Sequence, residues 1–129
     1  MNDLTITLLT ASVLGLMFIW LSTRVISARL KNEVLIGLGD GPELQWAIRI
    51  HGNFTEYVPI FLIVLGLLEL SGGHRTTLAT LAILFVVARA SHVVGMGPEA
   101  NLKFRQAGVL GSFTAVAGAS LYGLYIGIV

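Results

Sequence analysis

Three polar side chains with complementary chemistry, Arg49, Asn53 and Glu56, are spaced to share one face of a helix. The spacing i, i+4, i+7 places them within about 60° of one another around a helix axis. The guanidinium and the amide can bind an anion, and the carboxylate can pair with a ligand ammonium or hold an arginine in place. The apolar run that follows, up to Leu70, predicts a membrane helix, where ionisable groups are costly and are candidates for function.

Further ionisable residues fall at the same depth in the next two apolar segments. Arg89 and His92 share a helical face, being i, i+3. At a rise of about 1.5 Å per residue, Arg89 and Glu56 lie at one level and can form a pair, and Arg105 lies near the level of Arg49. Because arginines outnumber carboxylates in this layer, the sequence predicts a cationic pocket for a carboxylate- or phosphate-bearing anion. The alternative is an Arg89–Glu56 pair that only locks the bundle.

The composition is that of a membrane protein. The chain has 129 residues, of which 55% are hydrophobic and 12% charged, and its mean hydropathy is +0.85. Soluble domains are less apolar than this. The absence of cysteine from the sequence excludes disulfides and thiolate metal sites. We predict no metal site, and the lack of a basic cluster predicts no nucleic-acid partner.

The apolar segments predict an all-α fold, an integral membrane four-helix bundle that forms a single domain over residues 1–129. Pro42 suits the first position of the second helix, with Asp40 or Gly41 as its N-cap. The predicted spans cover residues 4–24, 43–70, 77–97 and 105–128.

Span three lies between two helix-terminating signals. The turn Ser71-Gly-Gly73 ends span two, after which Thr76 or Thr77 can cap the next helix. Pro98 lacks a backbone N–H and is expected to terminate span three near Gly97.

Basic residues are concentrated around the first and third loops. By the positive-inside rule, these two loops are predicted to lie in the cytoplasm and both termini outside. Only Arg75 lies on the opposite side. The residues on the predicted cytoplasmic side are Arg24, Arg29, Lys31, Lys103 and Arg105.

A stripe of small residues follows one face of span four, one every four positions. Such stripes allow helices to approach closely. Packing within one chain and contact between copies are both consistent with it. The stripe consists of Gly111, Ala115, Ala119, Gly123 and Gly127.

Two aromatic residues beside the span-two motif are not predicted to bind a ligand. His51 points about 150° away from Glu56, so we predict an interhelix or interfacial contact for it. Tyr57 is about 100° round the helix from Glu56 and is not selected as a site residue.

The polar residues of spans two to four form a pattern, which consists of Arg49-x-His51-x-Asn53-x-x-Glu56, Arg89-x-x-His92 and Arg105. This pattern resembles that of the MAPEG family (membrane-associated proteins in eicosanoid and glutathione metabolism), in its short bacterial form. The resemblance covers nearly the whole chain.

The resemblance implies a homotrimer in a bacterial inner membrane. It also implies that glutathione binds as co-substrate between protomers near the cytoplasmic face, and that a lipophilic small molecule enters from the membrane lipid. Arg105 would be the catalytic residue that stabilises the glutathione thiolate. The residues implied to hold glutathione are Arg49, Asn53, Glu56, Arg89, His92 and Arg105.

Three positions depart from the family pattern. Gly52 stands where several animal enzymes have a second arginine, and Met96 stands where such enzymes have a tyrosine. Gln106 stands where some members have a serine. Methionine neither donates a hydrogen bond to a thiolate nor exchanges protons with it.

Three functions are consistent with these residues. The leading hypothesis is a glutathione-dependent transferase or peroxidase that acts on lipophilic electrophiles or lipid hydroperoxides. The second, motivated by Met96, is a non-catalytic trimer that binds a lipid or an anionic metabolite. The third is a small proton- or cation-coupled exporter that uses Glu56 as its coupling carboxylate.

Overall fold

The computed structural model describes residues 3–97 and 99–129, and over these residues the chain forms four α-helices and no strand. All four helices are long and apolar enough to cross a membrane. The predicted all-α, four-helix membrane bundle is therefore confirmed. The helices are α1 (Thr5–Lys31), α2 (Pro42–Leu70), α3 (Arg75–Val94) and α4 (Leu102–Ile128).

The first two helices are bounded largely by their local sequence. α1 continues to Lys31 instead of ending near Arg24. Pro42 is the first residue of α2, and Gly41, one of the two predicted N-caps, precedes it with an extended backbone. Proline suits this position because the first N–H groups of a helix have no intrahelical partner.

The predicted threonine caps of α3 are wrong. The N-cap is His74, and the helix begins directly after it. The backbone N–H of His74 donates to the hydroxyl of Tyr122 at 2.9 Å, so a contact with α4 fixes this helix start without a threonine cap. At its other end α3 stops at Val94, followed by Gly95. The predicted terminator, Pro98, lies outside the described residues.

α2 and α3 form the centre of the bundle. In the described part of the chain each of them contacts all three other helices, whereas α1 and α4 flank them and do not meet. The rings of Phe61 and Phe85 stack between α2 and α3 with centroids 4.0 Å apart, and neither ring is exposed. Burying these two rings fixes the rotation of α2 and α3 and thereby decides which polar residues face inward.

The small residues of α4 allow it to pack closely against α3. A Cβ atom added to Gly111 would lie 2.8 Å from the Cβ of Ala88. Ala115 and Ala119, the next members of the stripe, are fully buried. This part of the stripe therefore serves packing within one chain, whereas a Cβ atom on Gly127 would meet no atom within 4 Å.

A carboxylate from α2 caps the beginning of α1. Glu69 accepts hydrogen bonds of 2.8 Å from the backbone N–H groups of Ile6 and Thr7, and one of 2.7 Å from the Thr7 hydroxyl. An acidic group stabilises a helix N-terminus because it satisfies free N–H groups there. This contact lies at the end of the bundle where α1 begins and α2 ends, which is called the terminal end below. The opposite end, which carries loop one (residues 32–41), is called the loop-one end below.

Candidate functional site

The most deeply enclosed charged group is Arg89 on α3, whose side chain is only 2% exposed. Its Nε and Nη2 atoms donate to the Ser112 hydroxyl at 2.8 and 2.5 Å. Its Nη1 atom donates to the Oδ1 atom of Asn53 at 2.9 Å, and Nη2 also reaches the Gly108 carbonyl at 3.4 Å. One guanidinium thus joins α2, α3 and α4.

Aromatic rings complete the surroundings of this guanidinium. Its central carbon lies 5.1 Å from the ring centroid of Tyr57 and 5.7 Å from that of Phe85. Ring faces attract a cation, most strongly where water is excluded. Because its partners are all neutral, the charge is stabilised by dipoles and rings. We call Arg89 and its polar and tyrosine neighbours the Arg89 cluster, which consists of Arg89, Asn53, Ser112, Gly108 and Tyr57.

The predicted Arg89–Glu56 pair does not form, and that prediction is wrong. The only ion pair within residues 3–97 and 99–129 joins Lys31 and Glu43. The reason is the rotation of α2 about its axis. The buried face of α2 contains Phe54 and Phe61. Measured around the helix axis, Asn53 lies about 60° nearer to this face than Glu56 does. The amide therefore reaches Arg89, and the carboxylate points outward.

His92 lies one turn beyond Arg89 on α3 and is also buried, at 4% exposure. Gly108 packs directly on it, because a Cβ atom at that position would lie 2.5 Å from the His92 backbone nitrogen. Met96, a further turn along the chain, is buried as well. Three predicted site residues, Asn53, Arg89 and His92, thus meet around the α3–α4 contact.

The other three predicted site residues, Arg49, Glu56 and Arg105, do not join them. All three are exposed on the single chain, and none of their side chains forms a hydrogen bond or ion pair in the described part of the structure. Glu56 lies about halfway along the 29-residue helix α2. We call Arg49 and Glu56 together the exposed polar face of α2.

A groove of about 560 Å³ opens beside Arg49 at the loop-one end. Gly52 leaves it open, because a Cβ atom there would meet nothing within 4 Å. The groove combines one cation with a mainly apolar wall, which suits a ligand with an anionic group and an apolar part. We call it the Arg49 groove; its other lining residues are Leu38, Pro42, Gln45, Trp46 and Ile48.

His51 makes the interhelix contact predicted for it. Its Nε2 atom lies 3.1 Å from the Ser22 hydroxyl of α1. Its ring also packs on that of Phe18, with centroids 5.2 Å apart. This prediction is confirmed, and His51 serves the packing of α1 on α2.

Reasoning from the sequence missed three members of the Arg89 cluster. The angle between Tyr57 and Glu56 on the helix does not identify Tyr57 as a site residue, because Arg89 is the group that its ring faces. Ser112 is a polar residue in an apolar helix one turn beyond Gly108, at the level of Arg89. The spacing of Gly108 and Ser112, one turn apart on α4, is a sequence signal for a helix contact at this level. A small residue allows membrane helices to approach closely, and a hydroxyl allows a hydrogen bond between them.

These features define a class of protein, an integral membrane four-helix bundle with a buried arginine cluster beside an exposed polar face. The model of the MAPEG family matches residues 7–125. The chain is 30% identical over 108 residues to the inner membrane protein YecN of Escherichia coli K12, covering 84% of this chain and 82% of that protein. YecN of Escherichia coli O6:H1 matches equally well. The chain belongs to the MAPEG family, as the sequence pattern predicted.

Proposed function

We propose that the protein is a glutathione-dependent transferase or peroxidase of the membrane, acting on lipophilic electrophiles or lipid hydroperoxides. The observation that carries the proposal is the exposed polar face of α2 beside the Arg49 groove. Ionised groups facing lipid cost about 2.5–3.5 kcal/mol each. Glu56, about halfway along α2, therefore needs a partner that the single chain does not supply, and Arg49, nearer the loop-one end, is a further charge with no side-chain partner in the described structure.

A homotrimer with ligand bound between protomers supplies such partners. In this arrangement a neighbouring copy covers the exposed polar face, and the ligand neutralises the charges that remain. Glutathione has two carboxylates and one ammonium group, which complement Arg49 and Arg105, the exposed arginines of the candidate site, and the Glu56 carboxylate. The apolar wall of the Arg49 groove suits a lipophilic second substrate.

The buried residues have a supporting role in this proposal. The guanidinium of Arg89 is enclosed and each of its three nitrogen atoms already donates within the chain, so we assign it as a positioning residue instead of a ligand. It holds the Oδ1 atom of Asn53, which leaves the amide NH₂ group of Asn53 to donate to a glutathione carboxylate. His92 likewise stiffens the α3–α4 contact.

Arg105 is the proposed catalytic residue. Its fixed positive charge beside the glutathione sulfur stabilises the thiolate relative to the thiol. The thiolate sulfur then forms a bond to the electrophilic carbon, and the leaving group departs with the electron pair of the broken bond. Arg105 is exposed in the first turn of α4. In the proposed trimer it would meet the sulfur of a glutathione molecule held between two protomers.

The proposed location is a bacterial inner membrane, as the name of the similar YecN states for that protein. The positive-inside rule favours a cytoplasmic loop-one end and termini on the outer side. Glutathione would then enter from the cytoplasm.

A non-catalytic trimer that binds a lipid or anionic metabolite is the second candidate. Met96 favours it, because its buried thioether neither donates a hydrogen bond to a thiolate nor exchanges protons with it. In that case the exposed polar face would bind a ligand that undergoes no reaction.

A thermal-shift titration of the detergent-purified protein with glutathione and with glutathione sulfonate tests the proposal. We expect saturable stabilisation by both ligands, lost in Arg49→Ala and kept in Arg75→Ala, a control at the terminal end. Stabilisation without turnover of any electrophile would favour the non-catalytic trimer. No shift at millimolar glutathione, or equal loss in both variants, would refute the glutathione site.

A further inference from the structure

A smaller pocket of about 230 Å³ lies between α1 and α2 at the loop-one end, away from the residues of the candidate site. We call it the Arg24 pocket. Two cations and a hydroxyl that is free to donate line it from α1, namely Arg24, Lys31 and Ser27. Thr23 also lines it, but its hydroxyl already donates to the Trp20 carbonyl at 2.7 Å.

Trp20 marks the level of this pocket in the membrane. The central carbon of the Arg24 guanidinium lies 5.1 Å from the centroid of the Trp20 ring. The ring itself is 51% exposed. Exposed tryptophans of membrane proteins are enriched where the hydrocarbon core meets the headgroups. The pocket, one to three turns nearer the end of α1, therefore lies at headgroup level.

The same face of α1 continues into the hydrocarbon core as an apolar stripe. Leu16, Val13 and Leu9 follow Trp20 within about 60° of one another around the helix. Leu9 and Leu16 are 64% and 74% exposed. Leu9 and Val13 also line a groove of about 230 Å³ between α1 and α3. The face thus presents cations, then an aromatic ring, then an apolar groove. This order complements an anionic phospholipid, whose charged headgroup is followed by apolar acyl chains.

We infer that the Arg24 pocket binds the phosphate of an anionic membrane phospholipid, whose acyl chain lies along the apolar stripe of α1. Arg24 and Lys31 supply the charge, and the Ser27 hydroxyl donates to a phosphate oxygen. Glu43 opposes binding, because its carboxylate holds the Lys31 ammonium at 2.8 Å. Both side chains of that pair are largely exposed, so the pair is weak and Lys31 can turn to a phosphate.

Native mass spectrometry of the full-length protein in non-ionic detergent, titrated with phosphatidylglycerol, tests this inference. We expect Arg24→Gln to weaken binding about fivefold, the effect typical of one juxtamembrane cation. Glu43→Gln should tighten binding, because it releases Lys31. Lys103→Gln removes one cation from the same end of the bundle but outside the pocket, and it should leave binding unchanged.

Two competitors identify what the pocket recognises. Phosphatidylcholine with the same acyl chains should bind more weakly than phosphatidylglycerol, and inorganic phosphate should not displace the lipid. Equal losses in Arg24→Gln and Lys103→Gln would show general attraction to a charged surface and overturn the inference. Equal binding of both lipids, displacement by phosphate alone, or no binding at all would also overturn it.

Discussion

The Arg89 cluster and the exposed polar face of α2 each contain an arginine and lie about one turn apart, yet the contacts of the two arginines differ. Arg89 is 2% exposed and each of its guanidinium nitrogens donates to a neutral group of the same chain. Arg49 and Glu56 are exposed and make no polar contact in the described structure. We therefore assign Arg89 to the fold, because its own chain satisfies it, and we propose Arg49 and Glu56 for binding.

Replacing Arg89 by alanine should have the largest effect on stability. It leaves Asn53 and Ser112 without their partner and creates a cavity between three helices, so we expect a loss of about 3–5 kcal/mol. Unfolding in a mixed-detergent titration measures this loss. Arg49→Ala is the matched control and should change stability by less than about 0.5 kcal/mol. Equal losses would erase the distinction between the two regions.

Arg105→Ala tests the proposed catalytic role. If Arg105 stabilises the thiolate, turnover of a model electrophile should fall by about 10²–10³-fold, the effect of removing one group that stabilises developing negative charge. The ultraviolet absorbance of bound thiolate should fall in parallel, while the unfolding midpoint stays near that of the wild type. Full turnover and full thiolate formation in the variant would assign the role elsewhere.

Gly108→Ala tests how tightly the cluster is built. The added methyl group would overlap the backbone of His92, and overpacking of this kind costs about 1–3 kcal/mol. Gly127→Ala, at a position with no atom within reach, is the control and should be neutral or slightly stabilising. An unchanged unfolding midpoint in Gly108→Ala would mean that the backbones of α3 and α4 are further apart at this position than in the structure.

Glu56→Gln should have the smallest effect on the fold and a measurable one on the ligand. Its exposure predicts a stability change within about 0.5 kcal/mol. If it pairs with the glutathione ammonium, the affinity for glutathione should fall about tenfold, a loss of about 1.4 kcal/mol. Isothermal titration calorimetry measures that change. A large loss of stability with unchanged affinity would place Glu56 in protomer packing.

Much of the fold followed from the sequence because each signal was local. Four apolar runs longer than the hydrocarbon core is thick require four spanning helices, whatever their neighbours. Pro42 fixed the beginning of α2 because a missing N–H costs nothing at that position. The start of α3 escaped prediction because a hydroxyl from another helix, that of Tyr122, holds His74 in place.

The sequence by itself determined the class of protein and the levels of its polar residues along each helix, since hydropathy and helix rise are properties of single segments. Only the tertiary structure decided which of those residues became partners. The rotation of α2 about the Phe61–Phe85 stack turned Asn53 toward Arg89 and Glu56 away. Helical periodicity gives the angle between two residues on one helix, but the direction of that face depends on how side chains of different helices pack.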